Sequence, residues 1–138
     1  MNIKVELKHK NAKLPKRANY NDAGADLYAA SKKIKGDRII YDTGVAMAIP
    51  DGYVGLVFPR SSVSKKNLIT ANCVGVIDSG YRGSIKVVFK RLDGNVDDYS
   101  LGERIAQIVI MPIALPTFEL GELDNTTRGT KGFGSTGK

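Results

Sequence analysis

The chain has one cysteine, one histidine and no tryptophan among its 138 residues. Cys73 alone excludes an intrachain disulfide, so a reducing, intracellular (cytoplasmic) setting is the expectation. His9 alone, in the lysine-rich "HKNAK", excludes a histidine-centred triad or a histidine metal cluster. Long apolar runs are missing too. "IAQIVIMPIAL" is too short and too interrupted to cross a bilayer, and Met1 leads into "NIKVELKHK" with no apolar leader segment. What is plentiful is positive charge, with a formal net charge of +7 that points to an anionic partner. Because Lys and Arg are spread along the chain, with modest clusters at "HKNAKLPKR" and "SKKIK", nucleic acid is not the expected one.

The hydrophobic pattern is β throughout. "SIKVVFKR" puts Ile85, Val87 and Phe89 on one face and Lys86 and Lys90 on the other. "YVGLVF", "RIIY", "VAMAI", "LITANCVGV" and "RIAQIVIM" read as further short strands, separated by turn signals such as "YNDAG", "PDG", "DSGYRG" and "LDGN". One helix of one or two turns is expected near Ser61–Lys66. Many short strands with regular turns predict an all-β jelly roll, a barrel or sandwich. Apolar residues nearly vanish after Leu123, so residues 1–123 read as the body and 124–138 as a flexible glycine-rich arm.

The last seven residues, "GFGSTGK", fit the opening of the phosphate-loop pattern G-x-x-x-x-G-K. That loop needs a Ser or Thr after the lysine for magnesium and a helix whose N-terminus holds phosphate. Neither follows Lys138, so Gly129, Gly132, Gly134 and Gly137 call for another explanation, as do Arg128, Lys131 and Phe133.

With histidine and cysteine set aside, the chemistry falls to carboxylates, basic groups and glycines. Cys73, in an apolar run, reads as a small buried residue. Asp78 ends an apolar strand in "GVIDSGYRG" and is either a turn-forming aspartate or a general base at a semi-buried rim. Asp26 stands in "DAGADLYA". In "FPRSSVSKK", Arg60, Ser61 and Ser62 open the short helix, where the hydroxyls either cap it or hold phosphate oxygens. Gln107 is either a hydrogen-bonded core amide or a ligand contact, and Tyr81 either surface packing or a platform for a sugar ring.

Taken in order, "DAGADLYA", "PRSSVS", "GVIDSGYRG", "GERIAQ" and "RGTKGFGSTG" closely resemble the five motifs of the trimeric dUTP pyrophosphatases, over Asp22–Gly137. The resemblance implies hydrolysis of dUTP to dUMP and pyrophosphate with Mg2+, an activity that keeps uracil out of DNA and supplies dUMP for dTMP synthesis. It implies a homotrimer with its sites between subunits. Asp78 would activate the water, and Tyr81 would pack on the deoxyribose and exclude a ribose 2′-hydroxyl. Asn72 and the hairpin from Asn72 to Tyr81, with Gly75 and Ile77, would read uracil. Arg60, Ser61, Ser62, Lys86 and Gln107 would bind substrate, and Asp26 would support the metal–phosphate region through water. Arg128, Gly132, Phe133, Gly134 and Ser135 would close over the nucleotide, with Phe133 stacked on uracil and Arg128 on the γ-phosphate. Ser62 and Ser64 in the second motif, and Ser84 after Gly83 in the third, depart from the family pattern.

Two rival readings remain beside it. A dCTP deaminase shares the implied fold and an "RSS"-like motif, but carries a tryptophan where Tyr81 stands and a catalytic glutamate on a later strand. Here Gln107 occupies the "GERIAQ" strand, with Glu103 at its edge. A non-catalytic regulatory protein would keep the fold without turnover, and the joint presence of Asp78, Tyr81, Arg128 and Phe133 argues against it.

Overall fold

The structure is a computed structural model describing residues 1–92 and 97–133. The described residues form ten short strands: β1 Lys4–Leu7, β2 Ala25–Tyr28, β3 Ser31–Lys35, β4 Arg38–Asp42, β5 Val45–Ala48, β6 Tyr53–Pro59, β7 Leu68–Thr70, β8 Gly75–Ile77, β9 Lys86–Arg91 and β10 Arg104–Pro112. Two four-stranded sheets, ordered β2-β10-β6-β8 and β3-β4-β9-β7, face each other, with β1 and β5 as a separate pair. The chain is all-β and of jelly-roll type, and the sandwich alternative of the sequence reading is the one realised. None of its helices, among the described residues, is long and apolar enough to cross a membrane.

Side-chain alternation places the core. In β9, Val87 and Phe89 are buried while Lys86 and Lys90 are exposed, and Ile85 just before the strand is buried with them. Leu27, Ile105 and Ile108 from one sheet meet Ile39, Tyr41 and Phe89 from the other in one cluster. Tyr41, Phe89 and Tyr99 pack mutually, with ring centroids 5.5–6.2 Å apart.

Two local expectations need correction. "LITANCVGV" is not one strand. β7 pairs with β9 in one sheet and β8 with β6 in the other, so the run crosses between sheets at a turn centred on Asn72 and Cys73. Cys73 takes a left-handed φ of 57° and is exposed, not buried. A strand cannot belong to both layers without such a kink, and apolar composition alone does not reveal it. The short helix expected near Ser61–Lys66 is present as a 3-10 helix, Ser61–Lys65, whose N-cap is Arg60 with no side-chain cap. Ser61 and Ser62 are therefore not spent on capping.

Candidate active site

The central residue is Asp26, on β2. Register places it opposite Gln107 of β10, which lies in turn opposite Phe58 near the end of β6. Three adjacent strands thus deliver Asp26, Gln107 and, just past β6, Arg60 to one end of the sheet. Asp26 is nearly buried, its side chain 13% exposed, and both carboxylate oxygens are engaged. Arg60 Nε donates to Oδ1 at 2.7 Å, and an Nη of Arg104 donates to Oδ2 at 3.2 Å. A carboxylate so placed loses hydration, which two guanidinium groups restore. It holds Arg60 by Nε, leaving the outer guanidinium nitrogens directed elsewhere. One of them lies 3.5 Å from Ser62 Oγ.

Gln107 donates from Nε2 to the Pro59 carbonyl at 3.1 Å. Its side chain occupies space that Gly24 leaves open, since a Cβ there would stand 2.3 Å from Gln107 Oε1. An open cavity of about 340 Å³, lined by Asp22, Gly24, Asp26, Arg60, Ser61 and Gln107, adjoins these groups. A second, of about 380 Å³, lies across Arg60 and is lined by Ser62, Lys66, Tyr99 and Arg104. Guanidinium, hydroxyl and amide donors around such space suit phosphate oxygens. Arg104 was not among the residues singled out in the sequence. Its part depends on pairing with Asp26, 78 positions away in the chain.

The other group of candidates lies on β8 and the turn after it. Asp78 follows Ile77, is exposed in the single chain rather than held at a semi-buried rim, and its carbonyl accepts from Tyr81 N at 3.1 Å. Arg82 clips the same turn by donating to the Ser79 and Tyr81 carbonyls at 2.6 and 2.9 Å. Lys86, at the start of β9, stands 3.9 Å from Asp42. Asn72 sits in the inter-sheet turn, close to Gly75.

The chain does not bring the two groups together. β8 pairs Gly75 with Val57 and Ile77 with Gly55, so Asp78 falls level with Val54, six positions before Arg60. At ~3.3 Å per residue along a strand this is roughly 20 Å. Phe133 is fully exposed, with a left-handed φ of 47°. Arg128 donates from Nε to the Lys131 carbonyl at 3.1 Å, and Gly132 beside it is exposed. Gly134 and Ser135 lie outside the described residues.

An all-β jelly roll carrying a guanidinium-and-hydroxyl pocket beside a buried carboxylate suits an anionic, phosphate-bearing ligand. Comparison with known proteins says which. The dUTPase family profile matches residues 10–137. The chain is 46% identical to the deoxyuridine 5′-triphosphate nucleotidohydrolase of Corynebacterium glutamicum, covering 99% of this chain and 95% of that one. It is 42% identical to that of Tropheryma whipplei, covering 97% and 95%. Its fold superposes with TM-score 0.87 and 32% identity on a dUTPase of Staphylococcus bacteriophage 80alpha with dUpNHpp bound, over 99% of both chains. A phage phi11 dUTPase, at 29% identity, TM-score 0.76 and 89% and 98% coverage, is described with a structural Mg(II) ion. The chain belongs to the dUTPase family.

Proposed function

We propose, for this dUTP-hydrolysing enzyme, that the reaction is attack of an Asp78-activated water on the α-phosphorus. The observation that carries the phosphate end is the Asp26 cluster, which presents Arg60 already oriented beside Ser61, Ser62 and Gln107. Asp78 takes a proton from water, the new P–O bond forms at the α-phosphorus, and the bond to the bridging oxygen breaks. Pyrophosphate departs and dUMP remains. Arg60, Ser61, Ser62 and Gln107 hold the phosphate oxygens, and donors fixed in advance cost little reorganisation as charge moves to the leaving group. Asn72 and the backbone at Gly75 and Ile77 read the uracil edge, where a mismatched polar contact discriminates strongly. Tyr81 walls the deoxyribose, and Lys86 binds the substrate as a further cation.

Magnesium is the proposed cofactor. No group of three or more His, Cys, Asp or Glu side chains converges among the described residues. Asp26 faces two arginines, yet it also borders the open cavity beside Arg60. This donor set fits an ion held by phosphate oxygens and water, with Asp26 acting through water. Bound there, magnesium would neutralise phosphate charge and align the α-phosphorus.

A homotrimer with sites between subunits accounts for the separation of Asp78 from Arg60. Support comes also from Leu115, Phe118, Leu120 and Leu123, which follow β10 and are strongly exposed in the single chain. Such apolar surface calls for a partner. The arm, residues 124–138, would then close over the nucleotide with Arg128, Gly132, Phe133, Gly134 and Ser135. Cytoplasmic residence is proposed on the single, exposed Cys73. Pyrophosphate release from dUTP, measured beside dCTP, dTTP and UTP, tests the reading. Turnover confined to dUTP is the expected result, whereas ammonia release from dCTP would favour the deaminase reading.

A further inference from the structure

Tyr81 is pinned at both ends. Its backbone N–H closes the Asp78 turn, and its hydroxyl donates to the Ser84 carbonyl at 3.1 Å. The ring thereby folds back over Gly83. A Cβ on Gly83 would stand 2.3 Å from the hydroxyl and 2.5 Å from Cζ, so any side chain there would displace the ring. The acceptor carbonyl is itself anchored. Ser84 Oγ donates to Asp42 Oδ1, an oxygen that also accepts from Gly44 N at 2.8 Å. Next to it, Ile85 N donates to the Val45 carbonyl at 2.9 Å, and the Ile85 carbonyl accepts from Thr43 N at 3.1 Å. Lys86 balances the other oxygen of Asp42 from 3.9 Å. The link thus runs from the β4–β5 turn through Asp42 and Ser84 to a tyrosine ring that still exposes 43% of its surface.

We propose that Asp42 and Ser84 are positioning residues for Tyr81, setting selectivity for deoxyribose over ribose without touching the substrate. The inference rests on the reading of Tyr81 as the wall against the sugar. A wall excludes a single extra hydroxyl only if it does not yield, and a ring preset in the free chain resists displacement where a mobile one would swing aside. Asp42 therefore supplies, from another strand, the carboxylate that anchors Ser84 and through it the carbonyl that Tyr81 binds.

The test compares kcat/KM for dUTP and UTP in the full-length protein. Ser84→Ala should lower the dUTP/UTP ratio about tenfold, as coupling between contacting residues allows, chiefly through a lower KM for UTP. Ser84→Thr, which keeps the hydroxyl, should restore the ratio, and Asp42→Ala should act like Ser84→Ala. In a Tyr81→Ala background, Ser84→Ala should change the ratio no further. Gly83→Ala, which displaces the ring directly, should lower the ratio even if the Ser84 variant fails to fold. If Tyr81→Ala lowers the ratio but Ser84→Ala and Gly83→Ala do not, the positioning role is overturned while the wall stands. If Tyr81→Ala leaves the ratio unchanged, the wall itself is refuted, and the positioning role with it.

Discussion

The two ends of the β2-β10-β6-β8 sheet are built on different terms. At one end Arg60, Arg104 and Gln107 are fixed by a nearly buried Asp26 and by strands paired on both sides. At the other, Asp78 stands exposed in a four-residue turn beyond an edge strand, closed by one backbone hydrogen bond and by Arg82, with no partner for its own carboxylate among the described residues. One chain thus gathers Arg60, Arg104 and Gln107 around Asp26 but leaves Asp78 roughly 20 Å away along the sheet. A donor set that must hold a highly charged group gains from being fixed beforehand. The base proposed at Asp78 needs to meet its substrate only when the site is assembled, and an exposed turn serves that role.

The difference breaks most visibly at Asp78. Asp78→Asn keeps the shape of the turn and removes the base, so kcat should fall by ~10²–10⁴ while dUTP binding, measured by calorimetry, changes little. A fall of only a few-fold would remove Asp78 from the chemistry. Deleting residues 125–138 should come next. The variant should keep its melting temperature, because Phe133 and the described residues around it are exposed. It should still lose activity by about two orders of magnitude, since phosphate donors, base stacking and water exclusion go together. Phe133→Ala alone should cost on the order of 1–3 kcal/mol in kcat/KM. Mixed assemblies of Asp78→Asn and deleted chains should regain part of the activity if the base and the arm come from different subunits. No regain, with mixing confirmed by mass spectrometry, would mean that each arm closes on its own chain.

At the fixed end the expected effects are smaller and appear in stability as well. Asp26→Ala leaves two guanidinium groups without their partner. With Arg60 a quarter and Arg104 about half exposed, this should cost about 1–3 kcal/mol of stability and about 10- to 100-fold in kcat/KM as Arg60 loses its aim. Arg104→Gln should reproduce part of both losses. If Asp26→Ala alters stability but not kcat/KM, the cluster is scaffolding and does not position Arg60.

How far each end was legible in the sequence follows from the same physics. Alternation exposed the inward set of Ile85, Val87 and Phe89, because a strand buried on one face writes a period of two. The short turn at Ser61 was legible from its flanking strand and hydroxyls. The crossing at Cys73 was not, because Leu68–Ile77 is apolar enough to pass as one strand, and a positive φ at a cysteine has no composition signal. Arg104 was missed because its meaning lies in cross-strand register with Asp26, and the Asp42–Ser84 link because it joins residues 42 positions apart. Motif order carried the family, while register carried the positioning.

The smallest expected effect concerns what lies beneath the fixed end. Tyr99 lines the cavity beside Arg60, with Lys66 Nζ 4.6 Å above its ring, and it is held from below by Tyr41, whose hydroxyl donates to the Tyr99 carbonyl at 2.9 Å. Burial, followed by the nearby Asp98 charge, pushes the Tyr41 phenol well above its ordinary range. The sign follows from linkage. Below pH ~10 the phenol is protonated in both folded and unfolded chains, so its stability contribution is fully present. Above ~10 the unfolded chain releases this proton and the folded one does not, so stability falls by about 1.4 kcal/mol per pH unit until the folded phenol also ionises. Tyr41→Phe should cost about 0.5–1.5 kcal/mol at neutral pH through the lost hydrogen bond, yet lack this alkaline fall. Urea denaturation of both proteins from pH 7 to 11 should show the gap narrowing and closing above pH ~10. Parallel curves would mean that the phenol is not held protonated by the core, and that the rigidity of the arginine end stops at Asp26.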